Sequence, residues 1–113
     1  MLNALDSLKQ HSVIVADTGD LDAVAKWRPQ DTTTNPSLLL SAAKDPRYKG
    51  IVETSLDADL EASLDRLCVA FGCEILKLTP GRVSTEVDAR LSFDEEKSME
   101  KARRLISLYA ARG

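Results

Sequence analysis

Asp17, Asn35 and Glu86 are the residues of this chain whose types and surroundings point to chemistry. Asp17 ends the apolar run Val13-Ile14-Val15-Ala16 and stands immediately before a Thr-Gly turn. Asn35 follows the β-branched stretch Thr32-Thr33-Thr34, and Glu86 lies between Thr85 and Val87 in an alternating segment. In parallel α/β folds, active sites gather at the carboxyl ends of the strands. A carboxylate buried in such an interior needs partners and has its pKa moved, which is what a general acid or base requires. Each residue also has a plain local explanation. Asp17 is equally a turn-former capping the next helix, Asn35 a helix N-cap, and Glu86 a solvent-facing residue on an edge.

The elements that must position these groups read as alternating strands and helices. A short β-rich apolar run closed by Asp17-Thr18-Gly19-Asp20 predicts a buried strand and a loop. Leu21, Val24, Ala25 and Trp27 then share a helical face that starts at Asp20 or Gly19 and is ended by Pro29. A second strand over Asp31–Thr34 hands over to a helix at Asn35-Pro36, an N-cap followed by proline at the first helical position. Leu60, Leu64, Leu67, Phe71, Ile75 and Leu78 recur at steps of three or four, predicting one helix from about Asp57 to Leu78 despite Gly72. Pro80-Gly81 stops it. From Val83 to Leu91 apolar and polar residues alternate, predicting a third strand with Glu86, Asp88 and Arg90 on its polar face. Ser92 to Glu95 has the form of a capping box opening a last helix, with Met99, Ala102, Leu105, Ile106 and Tyr109 inward and Gly113 as its C-terminal cap.

This order is that of a parallel sheet. Strands of an open doubly wound sheet are apolar on both faces. The polar face of the third strand therefore favours a barrel interior, and the fold class expected is α/β with a (β/α)-barrel layout.

Composition restricts the function classes. The 113 residues fit one domain, residues 1–113, with 43% hydrophobic and 29% charged side chains, ordinary for a soluble protein. A net charge of -3 argues against nucleic acid, and the only dense basic spot, at Lys101-Ala102-Arg103-Arg104, follows a run of acids. No apolar run is long enough to span a bilayer, and the N-terminus has no signal-peptide pattern, so the expectation is a cytoplasmic protein with no membrane partner. Cys68 and Cys73 lie five apart with a single His11 elsewhere, which predicts reduced thiols and no metal site.

Three blocks of mixed chemistry carry more than their parts: Val-Ala-Asp-Thr-Gly-Asp at 15–20, Pro-Gln-Asp-Thr-Thr-Thr-Asn-Pro-Ser-Leu at 29–38, and Pro-Gly-Arg-Val-Ser-Thr-Glu-Val-Asp-Ala-Arg-Leu-Ser-Phe-Asp at 80–94. Together they closely resemble the transaldolase family, over almost all of the chain from Leu5 to Gly113. The resemblance implies a partial (β/α)8 TIM barrel, about its first three βα units. It implies transfer of a dihydroxyacetone unit from a ketose phosphate to an aldose phosphate, through a lysine Schiff base, in the non-oxidative pentose phosphate pathway. No metal or organic cofactor is implied; the partners are sugar phosphates, and a homo-oligomer is compatible. By the same resemblance Asp17 is the acid/base for carbon–carbon cleavage and Glu86 works through a water on the Schiff base. Asn35 positions the dihydroxyacetone unit, and Thr33 shares its pocket.

Two departures from the family pattern stand out. The region between Leu40 and the long helix is shorter, with 53–59 replacing a longer helix and loop, and Thr32 stands where the family commonly has Ala. A complete barrel takes roughly 250 residues, and the family's Schiff-base lysine comes from a strand beyond Gly113. The seven lysines present, Lys9, Lys26, Lys44, Lys49, Lys77, Lys97 and Lys101, all fall on helices or loops in this reading. A nucleophilic lysine must be desolvated or lie near another cation, and none of these qualifies. The expectation is an incomplete barrel domain that is inactive alone, or else a non-catalytic truncated paralogue that at most binds a partner chain. Open strand edges further predict marginal stability or association through the third strand, which a sharp, concentration-independent monomeric melting transition would contradict.

Overall fold

A computed structural model describes all of residues 1–113. Three short parallel strands, β1 (Val15–Asp17), β2 (Asp31–Thr33) and β3 (Val83–Ser84), form one sheet in the order β1-β2-β3. Six α-helices accompany them: α1 (Ala4–Lys9), α2 (Leu21–Trp27), α3 (Pro36–Ala43), α4 (Lys49–Ser55), α5 (Leu60–Leu76) and α6 (Glu95–Ala110). Single 3-10 turns at Pro46–Tyr48 and Ala89–Leu91 complete the chain. The expected α/β alternation with a parallel sheet is what forms.

Local chemistry sets the helix limits. The Asp20 carboxylate accepts from the backbone of Asp22 and Ala23 to start α2. Pro29 disfavours a helical residue before it, and Arg28 ends α2 in the left-handed region at φ 49°. Asn35 caps α3 with Pro36 first in the helix, as expected. The long helix begins later and ends earlier than its apolar spacing implied. Asp59 caps it at Leu60, and the last turn stops at Leu76, ahead of Pro80. No residue of α1 is buried, so no apolar stripe announces it; its sign is the Asn3 cap.

The register places Asp17, Thr33 and Ser84 in one row across the sheet, and Ala16, Thr32 and Val83 in the next. Because successive side chains alternate, these rows face opposite ways. The second row faces the helices. Thr32 is 1% exposed, with its hydroxyl 3.2 Å from that of Thr79. The opposite face carries no helix, leaving Val15 51% exposed and Asp17 and Ser84 open. The core sits between the sheet and α5, around the fully buried Val24, Val69, Phe71 and Ile75. Tyr48 meets Phe71 edge-on, with ring centroids 5.6 Å apart.

Expectations at the C-terminal end are corrected. The strand expected over Val83–Leu91 stops at Ser84, and Ala89–Leu91 form a 3-10 turn. The Asp88 carboxylate accepts from the Arg90 backbone and binds the Arg90 guanidinium, a local alternative that competes with the ladder. Alternation alone does not register such competition. The last helix is capped by Asp94, which accepts from the Lys97 backbone, and not by Ser92, whose hydroxyl donates to the carbonyl of Ala89. Its buried stripe is also narrower than expected. Leu105 is buried and Ala102 and Tyr109 are half-buried, but Met99 and Ile106 face solvent, Ile106 at 66% exposed. α6 packs against α5 and touches the Ala89–Leu91 turn, and Met99 and Ile106 lie on the flank left exposed. At the far end the C-cap is Ala111 and not the expected Gly113, which lies two residues on with a positive φ of 104°.

Gly72 lies mid-helix because α6 needs the space. A Cβ there would overlap the Tyr109 hydroxyl and lie 2.7 Å from ring carbon Cζ. Ala in place of a helical Gly normally gains about 1 kcal/mol, whereas forcing a buried ring aside costs about 1–3 kcal/mol. Gly72→Ala is therefore expected to lower stability by up to about 2 kcal/mol, read from the urea midpoint. A stabilised variant would refute the close packing of Tyr109.

Candidate active site at the carboxyl ends of the strands

All the polar residues singled out in the sequence lie at one end of the sheet. Asp17 is the last residue of β1 and Thr33 the last of β2, directly across the ladder. The Thr33 hydroxyl donates to Asp17 Oδ1 at 3.0 Å. The backbone N–H of Thr18 bonds the Thr33 carbonyl at 3.1 Å, so pairing runs on past the strand end. A hydroxyl aimed at a carboxylate fixes its orientation and leaves the second oxygen to accept a proton from a ligand.

Asn35 lies two residues beyond β2. Its side-chain oxygen accepts from the Leu38 N–H at 3.0 Å, so the plain helix-cap explanation holds, and its amide nitrogen is left for a ligand. Glu86 lies two residues beyond β3, exposed, with its carboxylate in no hydrogen bond or ion pair. It is thus not a mid-strand residue, contrary to the alternating pattern around it. The structure brings Asp17 and Thr33 into contact and sets Asn35 and Glu86 at the same end, each on its own loop.

The loop after Asp17 is held firmly. Thr18 Oγ1 accepts from the Asp20 N–H at 3.0 Å. The Tyr48 hydroxyl donates to Asp20 Oδ1 and accepts from the Leu21 N–H, at 3.0 and 3.1 Å. Burial, then the Asp20 bond, pushes the Tyr48 phenol above its usual range and keeps it a donor. Arg47 ties Asp22 and Asp45 to this cluster, and its guanidinium holds the Asp45 carboxyl below the ordinary carboxylate range. Nothing in the sequence pattern pointed to Tyr48. A lone tyrosine beside the Asp45-Pro46 turn gives no such signal.

A groove of about 720 Å³ lies elsewhere, between the start of α5, the Ala89–Leu91 turn and α6. Most of its charges are paired, though Glu100 is not. Asp65 binds Lys101 and Arg104, and Asp88 binds Arg90, which holds the Asp88 carboxyl down at about 2. The seven lysines sit on helices or at their ends, and none on a strand. No group of three His, Cys, Asp or Glu side chains is placed to hold a metal ion, and no helix is long and apolar enough to cross a membrane.

A family model for transaldolase/fructose-6-phosphate aldolase matches residues 14–112. The chain belongs to that family. The transaldolase of Shewanella sp. (strain ANA-3) is 50% identical over 123 residues, a match that takes in 100% of this chain and 39% of the relative. The chain thus spans under two-fifths of the length of that curated transaldolase. The alignment is longer than the chain's 113 residues, so the relative has positions with no counterpart here. Within the transaldolase family, a three-stranded parallel sheet with helices on one face is consistent with part of a barrel.

Proposed function

We propose that this chain supplies the acid/base part of a transaldolase active site, at the start of a (β/α)8 barrel whose remaining strands furnish the Schiff-base lysine. The reaction is transfer of a dihydroxyacetone unit between sugar phosphates in the cytoplasmic, non-oxidative pentose phosphate pathway, without metal or organic cofactor. The observation that carries this reading is the Asp17–Thr33 hydrogen bond on the bare sheet face, at the strand ends where such barrels do their chemistry. The three strand-end blocks and the family match support it.

In this mechanism the lysine amine adds to the ketose carbonyl and water leaves, giving an iminium. Asp17 takes the proton of the substrate hydroxyl as the carbon–carbon bond breaks and its electrons move toward the iminium. The aldose phosphate departs, a second aldose adds, and Asp17 returns the proton. Glu86 handles the water that leaves and re-enters. Asn35 holds the dihydroxyacetone hydroxyls through its amide nitrogen, and Thr33 keeps Asp17 oriented.

The test joins this chain to the part of the Shewanella transaldolase beyond the matched 39%. Turnover of a ketose phosphate with an aldose phosphate is expected, with borohydride trapping the adduct on a lysine of the added part. Trapping on this chain alone would overturn the assignment of the lysine. A folded but inert fusion would favour the other reading, a non-catalytic paralogue that binds a partner chain.

A further inference from the structure

Glu86 lies in a stretch with little else to hold it. The ladder ends at Ser84, whose carbonyl accepts from the Thr34 N–H, and the next fixed point is Asp88, which caps the 3-10 turn. Thr85, Glu86 and Val87 take no part in the backbone ladder. One side-chain bond anchors this stretch. Thr85 Oγ1 lies 2.6 Å from the Tyr109 hydroxyl, which reaches it from α6 across the backbone of α5 at Gly72. Burial raises the Tyr109 phenol above its ordinary value, so it stays protonated and able to share this bond across the neutral range.

We infer that Tyr109, acting through Thr85, is a positioning residue for Glu86. The two hydroxyls are engaged with each other. Thr85 is half-buried and its neighbour Glu86 exposed, so fixing the Thr85 side chain sets the backbone from which Glu86 projects. The same contact explains the glycine in α5, since any side chain at Gly72 would occupy the path of the Tyr109 ring. Without the anchor, Glu86 would sample many orientations, and a misplacement of about 1 Å in a reacting group is enough to cost on the order of a hundredfold in rate.

This inference rests on the acid/base reading of Glu86, and the experiment separates the two. In the completed barrel described above, Thr85→Val removes the hydroxyl and keeps the shape. The expected result is a fall in kcat of about tenfold with KM changed less than about twofold, and recovery of most of the loss in Thr85→Ser. Tyr109→Phe should reproduce the Val result. If both variants keep kcat within about twofold while Glu86→Gln loses turnover, positioning by Tyr109 is overturned and the reading of Glu86 stands. If Glu86→Gln itself turns over normally, that reading fails first. In this chain by itself, NMR relaxation in Tyr109→Phe is expected to show new fast motion at residues 85–87, with α5 and α6 unchanged. Unaltered order there would overturn the inference whatever the fusion does.

Discussion

Asp17→Asn in the completed barrel should lower turnover by about 10²–10⁴-fold, the usual contribution of a positioned general acid/base, with little change in melting temperature. The substitution isolates chemistry from structure. Asparagine keeps an oxygen where Thr33 Oγ1 now donates at 3.0 Å, so the local hydrogen bond and the strand register survive. What is lost is the capacity to take a proton as the substrate hydroxyl becomes a carbonyl. Steady-state kinetics with a ketose phosphate donor, alongside thermal melting, would read both quantities. Retention of more than about a tenth of wild-type kcat would remove Asp17 from the acid/base role.

Asp65→Ala is expected to cost about 3 kcal/mol of stability, the lower end of what breaking a buried charge pair does. The Asp65 side chain is 11% exposed on α5, and it accepts from Lys101 and Arg104 of α6 at 3.1 and 2.7 Å. Removing the carboxylate leaves the Lys101 ammonium, 16% exposed, with only Glu61 at 3.8 Å. Arg104, 48% exposed, returns to water at little expense, which is why the upper end of the range does not apply. The double variant Asp65→Leu with Lys101→Met should recover much of the loss, since a packed apolar pair replaces a buried ionic one at small cost. Urea denaturation of the three proteins measures this. A loss below about 1 kcal/mol in Asp65→Ala would mean that the ion pair is effectively solvated.

The α2 and α3 helices were legible because their limits are written in one or two residues. Asp20 and Asn35 are caps, and Pro29 and Pro36 fix the backbone where they stand. The limits of β3 were not legible, because the bonds that end it are made by Asp88 and Arg90 and leave the apolar–polar alternation intact. The buried stripe of α6 was overdrawn for a related reason. Periodicity marks which residues share a face but not how much of that face is covered, and Ile106 is left exposed. At the site, Asp17 and Asn35 could be placed at strand ends from local pattern, whereas the Thr33–Asp17 contact depends on the register between strands. Tyr109 and Thr85 are 24 residues apart, and no local pattern links them. Gly72 was the one visible sign. A glycine kept inside an otherwise apolar helix marks a place where something else must pass.

The order of the strands bears on how the chain emerges from a ribosome. Synthesis delivers about 5–20 residues each second, N-terminus first, and here β1, β2 and β3 are neighbours in the sequence in which they appear. Each new strand meets a partner already made, and none has to hold open a slot for one still to be translated. The β1–β2 pair with α2 can close while α5 is still being synthesised, and β3 then adds to the free side of β2. The far side of β3 has no partner strand in this sheet, so its edge stays open to pairing.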